Sequence, residues 1–169
     1  MTTEHRLGVL RRRTTATLIL LVVEFLVGMA TNLFVSIPTH HPGAGSGPYL
    51  SGALASVLSS FTSGLPLLVV HVVIGVLLLA SGVELVVHAV RSHRGAAPVW
   101  LASGGLFGIL FAGFNGASFL KYNLDISSML MSVGFAIAVA GYVVLLSVSG
   151  EVSRPAQPDS RPAPPRIPG

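Results

Sequence analysis

The chain has 169 residues, of which 51% are hydrophobic and only 9% charged. A soluble domain carries about 25% charged residues. So large a deficit leaves too little polar surface to cover a globule in water, which excludes a soluble protein and predicts an integral membrane one. The net charge is +4 and the isoelectric point is near 10.4. In a soluble protein this would suggest a nucleic-acid partner. Here the arginines flank apolar runs, where they set topology and meet lipid headgroups, so the expected partner is the bilayer and not nucleic acid. There is no cysteine, which excludes disulfides, thiolate metal sites and cysteine nucleophiles.

Residues 1–13 form a basic N-terminus with Arg6, Arg11, Arg12 and Arg13. An apolar run over 14–37 follows, longer than the roughly 20 residues a bilayer crossing needs. It contains Glu24. A carboxylate at that depth must face protein or water, because exposing it to lipid is expensive. The triple arginine and the small-x-small sequence Gly28-Met29-Ala30 also resemble a signal peptide. Against cleavage, the run continues to Ile37 and Glu24 interrupts it. The outer link, 38–64, opens with a turn-rich stretch from Pro38 to Pro48. Then Leu50, Leu54, Val57, Leu58 and Phe61 recur at helical spacing with serines opposite, predicting an amphipathic helix on the outer surface.

Three more apolar runs, 65–90, 97–120 and 127–149, each exceed the 18 residues that mark a membrane helix. Arg91 and Arg94 lie in the second link. Arg154, Arg161 and Arg166 lie in the tail, whereas the outer links hold only Lys121. The positive-inside rule then puts both termini in the cytoplasm of a multi-pass plasma-membrane protein. The tail, 150–169, is rich in Pro and Arg and is expected to be disordered.

The predicted fold class is all-α: an antiparallel four-helix transmembrane bundle with a surface helix in the first outer link. In lipid, helices associate through close backbone approach at small residues. Gly104, Gly108, Ala112 and Gly116 step by four along the third span. Gly75 and Gly82 mark the second span, Ser127, Gly134 and Gly141 the fourth, and Gly28 the first. These stripes predict tight packing and need no ligand to explain them.

A rise of about 1.5 Å per residue assigns each polar residue a depth. Asn32, His71 and Asn115 fall in the outer half and Glu24 near the midplane; together they form the candidate ligand or proton pocket, with Glu24 at its floor. Glu24, Gly28 and Asn32 share one flank at steps of four, and His71, Gly75 and Gly82 share another. Ser81, Glu84 and Tyr142 form an inner polar set, with Ser103 beside it and His88 one turn from Glu84. Asn32, His71 and Asn115 could equally serve as interhelical hydrogen-bonding glue. No Lys or Arg stands at the depth of Glu24, and an intramembrane acid is a functional candidate by default.

Several segments resemble a group of small four-span membrane proteins of actinobacterial type. They are Glu24-Phe-Leu-Val-Gly-Met-Ala-Thr-Asn-Leu33, His41-Pro-Gly43, His71 with Gly75, Phe114-Asn-Gly-Ala-Ser-Phe-Leu-Lys-Tyr-Asn123, and Ser127-Ser-Met-Leu-Met131. The resemblance covers about residues 14–149. It implies the four-span fold and a cytoplasmic-membrane location. The group has no assigned activity, so it implies no mechanism. In the fourth of these segments Ser118 is placed to bond a carbonyl one turn back, Lys121 and Tyr122 to anchor at the interface, and Asp125 to cap the last helix.

No Ser-His-Asp arrangement, His-Glu-x-x-His or phosphate loop is present, so no enzyme is expected. The expected role is non-enzymatic binding, or an accessory subunit for another membrane protein or for a second copy of this chain. The alternative is proton-coupled transport along Glu24, His71 and Glu84. Haem ligation would have to draw on Met29 and His71. A metal site would have to draw on His40, His41 and His71. Adjacent histidines between prolines are ordinarily just solvated, and no cofactor is expected.

Overall fold

The structure is a computed structural model that describes residues 3–38, 40–45, 47–92 and 95–151. The tail beyond 151, and with it the expected disorder, lies outside them. So does Arg94. Five helices follow in order: α1 (Thr3–Phe34), α2 (Tyr49–Ser60), α3 (Pro66–Arg91), α4 (Ala96–Tyr122) and α5 (Asp125–Glu151). All but α2 are long and apolar enough to cross a membrane, and the protein is an all-helical integral membrane protein.

The helix α1 starts well before residue 14, because arginine is a good helix former and nothing breaks the chain there. It stops at Phe34, short of Ile37. The β-branched Val35 and the residue preceding Pro38 favour extended backbone. Pro66 opens α3, where its missing N–H is harmless. Asn123 ends α4 in the left-handed conformation, and its N–H bonds Phe119 O at 2.7 Å. Asp125 lies inside the first turn of α5 and not at its cap, where its charge still complements the helix dipole.

The four long helices form a ring in the order α1, α3, α4, α5, with each packed against its two neighbours. Their inward residues repeat in sevens. On α1 these are Leu10, Thr14, Thr17, Leu21, Glu24, Gly28 and Thr31. On α3 they are Leu68, His71, Gly75, Leu78, Gly82, Leu85 and Ala89. Such alternation of threes and fours is the packing of antiparallel bundles. The centre holds Leu21, Leu78, Leu85, Ile109, Tyr142 and Leu145.

The tightest contact is α4 on α5. A Cβ built on Gly108 would lie 2.5 Å from Ala138 N, and one on Gly134 would lie 2.7 Å from Gly108 O and Ala112 N. A Cβ on Gly141 would lie 3.0 Å from Gly105 N. Backbone therefore touches backbone, as the glycine stripes predict. The stripe runs through Gly105 and Gly108, however, and Gly104 faces open space.

The surface helix is present, and its small residues face the bundle. Ala53, Ser56 and Ser60 are buried, whereas Leu50 is 78% exposed and Leu54, Leu58 and Phe61 also face outward. Small residues allow α2 to lie close on α4 and α3. Ser59 and Ser60 bond carbonyls of their own helix (Ser60 Oγ to Val57 O, 2.6 Å). The leucines are left on the outer face.

Lys121 also departs from the expected interfacial anchor. It is 2% exposed, and its Nζ donates to Gly43 O at 3.4 Å and stands 5.0 Å over the Tyr122 ring. Gly45 N donates to Lys121 O. His41 Nε2 lies 2.9 Å from Leu120 O. Tyr49 bonds Ser118 Oγ at 2.7 Å, and Ser118 donates to Phe114 O as the sequence suggests. These bonds tie the loop before α2, and α2 itself, to the end of α4.

Candidate functional site

Between α1 and α3, Glu24 Oε1 stands 3.0 Å from His71 Nδ1. Each side chain lies over a glycine of the opposite helix. A Cβ on Gly75 would be 3.3 Å from Glu24 Oε1, and one on Gly28 would be 3.0 Å from His71 Cε1. The arrangement is reciprocal. On α1 an acid precedes a glycine by four residues, and on α3 a base precedes a glycine by four. Antiparallel packing sets each large side chain against the other helix's gap.

Both side chains are largely shielded, with Glu24 14% and His71 28% exposed. The acid and base face each other without the alignment of a hydrogen bond. Glu24 Oε2 and His71 Nδ1 are buried and unbonded. Leaving a buried polar atom unbonded costs about 1–3 kcal/mol. An acid and a base at this separation can share or exchange one proton. Nearby, Phe25 stacks on Phe135 of α5 with ring centroids 4.8 Å apart, which closes the other flank of α1.

Of the outer residues expected to meet here, the structure brings together only Glu24 and His71. Asn32 is exposed, and Thr31 takes the inward position. A step of four residues turns a helix 40° past a full turn, and two such steps carry Asn32 off the packed face. Thr31 Oγ1 donates to Val27 O at 2.9 Å and approaches Leu67 O of α3 at 3.4 Å. Asn115 is buried, but its Nδ2 donates to Phe111 O of its own helix at 2.8 Å rather than crossing to His71.

Met29 is exposed and faces away from the pair, so the structure does not bring it to His71. His40 is exposed and His41 is held by backbone carbonyls. Neither forms a metal-ligating group with His71, and no such group occurs among the described residues.

At the end opposite α2, Glu84 forms an ion pair with Arg13 of α1, and His88, one turn along α3, stands 3.7 Å from the same carboxyl oxygen. The His88 contact follows from the spacing. The Arg13 contact does not, since Arg13 read alone is only a topogenic charge. The signal lay in the seven-residue stripe, which sets the start of α1 beside the end of α3. Ser81 is half-buried and Tyr142 fully buried. The Tyr142 ring lies against Gly105, and its Oη, unbonded, would be 3.0 Å from a Cβ on Gly82.

No family model, curated protein or solved structure matches this chain. The site must therefore be read from its own geometry.

Proposed function

We propose that this protein is a non-enzymatic binding or accessory protein of the cytoplasmic membrane, with both termini inside, and that its working site is the Glu24–His71 pair. Arg11, Arg12 and Arg13 at the start of α1 and Arg91 at the end of α3 support that orientation. The resemblance to actinobacterial four-span proteins agrees with the location.

The observation that carries the reading is a carboxyl group and an imidazole set 3.0 Å apart within the span, with the other carboxyl oxygen, Oε2, buried and without a partner. Structural glue would use its hydrogen-bonding capacity, as Thr31 and Asn115 do. The ligand that fits is a proton. A Cβ added to the glycine under either side chain would come within 3.0–3.3 Å of it, which leaves little room for a larger guest between the helices. A partner membrane protein, or a second copy, would sense the pair's protonation through the packing of α1 on α3.

Infrared difference spectra between acid and alkaline pH, recorded on protein in mild detergent, test this. A carboxyl C=O band that responds to pH and vanishes in Glu24→Gln supports the site. Identical spectra for the two proteins would make Glu24 a static packing element. Absorption and native mass of the same sample would show any pigment or assembly.

A further inference from the structure

Two clusters of titratable groups lie along one seam. Glu24 and His71 stand toward the α2 end, and Arg13, Glu84 and His88 toward the other. Along α3 nine residues separate Gly75, which faces Glu24, from Glu84, about 14 Å at the helical rise. The gap has two layers. Nearer Glu24, Leu21 and Leu78 are buried in the core and meet across the seam's stripe. Nearer Glu84, the stripe carries Thr17 and Gly82, and the Tyr142 hydroxyl reaches Gly82 from α5.

Of the buried side-chain atoms without a bonding partner among the described residues, Ser56 Oγ belongs to α2. The other three are Glu24 Oε2, His71 Nδ1 and Tyr142 Oη. All three stand along this route. The other helices add no charge to it. In the spans of α4 and α5 the titratable residues are Lys121, Tyr122, Asp125 and Tyr142; Lys121 and Tyr122 are held in the α2 cap, and Asp125 is exposed in the first turn of α5, after the two-residue link from α4.

We infer that the α1–α3 seam is a proton path. It rests on the Glu24–His71 reading and extends it from holding a proton to carrying one. A proton from water at the α2 end joins the Glu24–His71 pair. When water enters the Leu21–Leu78 layer, the pair passes a proton toward Tyr142, whose hydroxyl accepts one and releases its own to the Glu84 cluster. His88 and Glu84 return it to water on the far side. One proton enters and one leaves, and nothing is oxidised or reduced. The leucine layer is the barrier, because a dry apolar layer offers a proton no hydrogen-bonding partner.

The test is proton flux into sealed vesicles of phosphatidylethanolamine and phosphatidylglycerol, with a pH-sensitive dye inside and a potassium diffusion potential as the driving force. The wild-type protein is expected to acidify the lumen faster than protein-free vesicles do. Tyr142→Phe, which removes only an unbonded hydroxyl and so preserves packing, should slow this by about tenfold, equivalent to about 1.4 kcal/mol of barrier. Glu84→Gln should slow it too, and Leu78→Ala should speed it. Flux no greater than in protein-free vesicles would overturn the path, as would unchanged rates in both Tyr142→Phe and Glu84→Gln. If flux is absent while the Glu24 infrared band still responds to pH, only the path fails. If the band is also silent, the underlying site reading fails with it.

Discussion

The α4–α5 and α1–α3 seams use glycine in opposite ways. On α4 and α5 the glycines face one another, and the backbones close to a separation at which a Cβ has no room. Between Gly108 and Gly134 that seam is dry and carries no ionisable group, and farther along it the Tyr142 ring lies against Gly105. On α1 and α3, Gly28 and Gly75 each face the large polar side chain of the other helix. One seam uses small residues for cohesion, and the other uses them to lodge an acid and a base within the membrane span. A glycine stripe therefore says that something approaches closely. Only the facing residue says whether that something is backbone or chemistry.

This contrast can be broken most strongly at the dry seam. Gly108→Leu or Gly134→Leu should force α4 and α5 apart and lower stability by at least about 1–3 kcal/mol, the usual penalty of overpacking. Circular-dichroism unfolding in mixed detergent would show it.

At the polar seam the smaller change Gly28→Ala meets only the edge of the His71 ring. Stability should fall by less than about 1.5 kcal/mol, yet the displaced ring should change the Glu24 infrared response. A loss of stability as large as at Gly108 would mean that the two seams do the same job.

Thr31→Val removes a bond that reaches toward α3 and should cost about 0.6 kcal/mol, the average for such bonds in a membrane. Asn32→Ala should lie within about 0.5 kcal/mol of wild type, as exposed substitutions do, and leave the infrared band unaltered.

The four-helix fold was legible because apolar run length and arginine placement are physical requirements of a bilayer. That Glu24 and His71 belong to one intramembrane polar group was legible as well, but depth alone set Glu24 at the midplane and His71 nearer the outer face. It is the reciprocal glycines Gly28 and Gly75 that bring them level. Facing was harder. Steps of four placed Asn32 beside Glu24, whereas the bundle repeats in alternating threes and fours and selects Thr31. In α2 the apolar stripe marked the helix but not which face meets the bundle. In lipid, leucine gains nothing by hiding, so the small Ser56 and Ser60 turn inward instead. Lys121 read as a surface anchor, but loop carbonyls and a tyrosine ring surround it. Those partners come from a loop whose path the sequence does not specify.

The cysteine-free chain permits a direct check of where α1 faces α3. Cysteine pairs introduced at Glu24 with Gly75, and at Asn32 with His71, can be oxidised in native membranes and read by the shift on a denaturing gel. The structure predicts an intramolecular crosslink for Glu24→Cys with Gly75→Cys and none for Asn32→Cys with His71→Cys. The reverse pattern would turn Glu24 away from α3 and contradict the acid–base pair on which the functional reading depends.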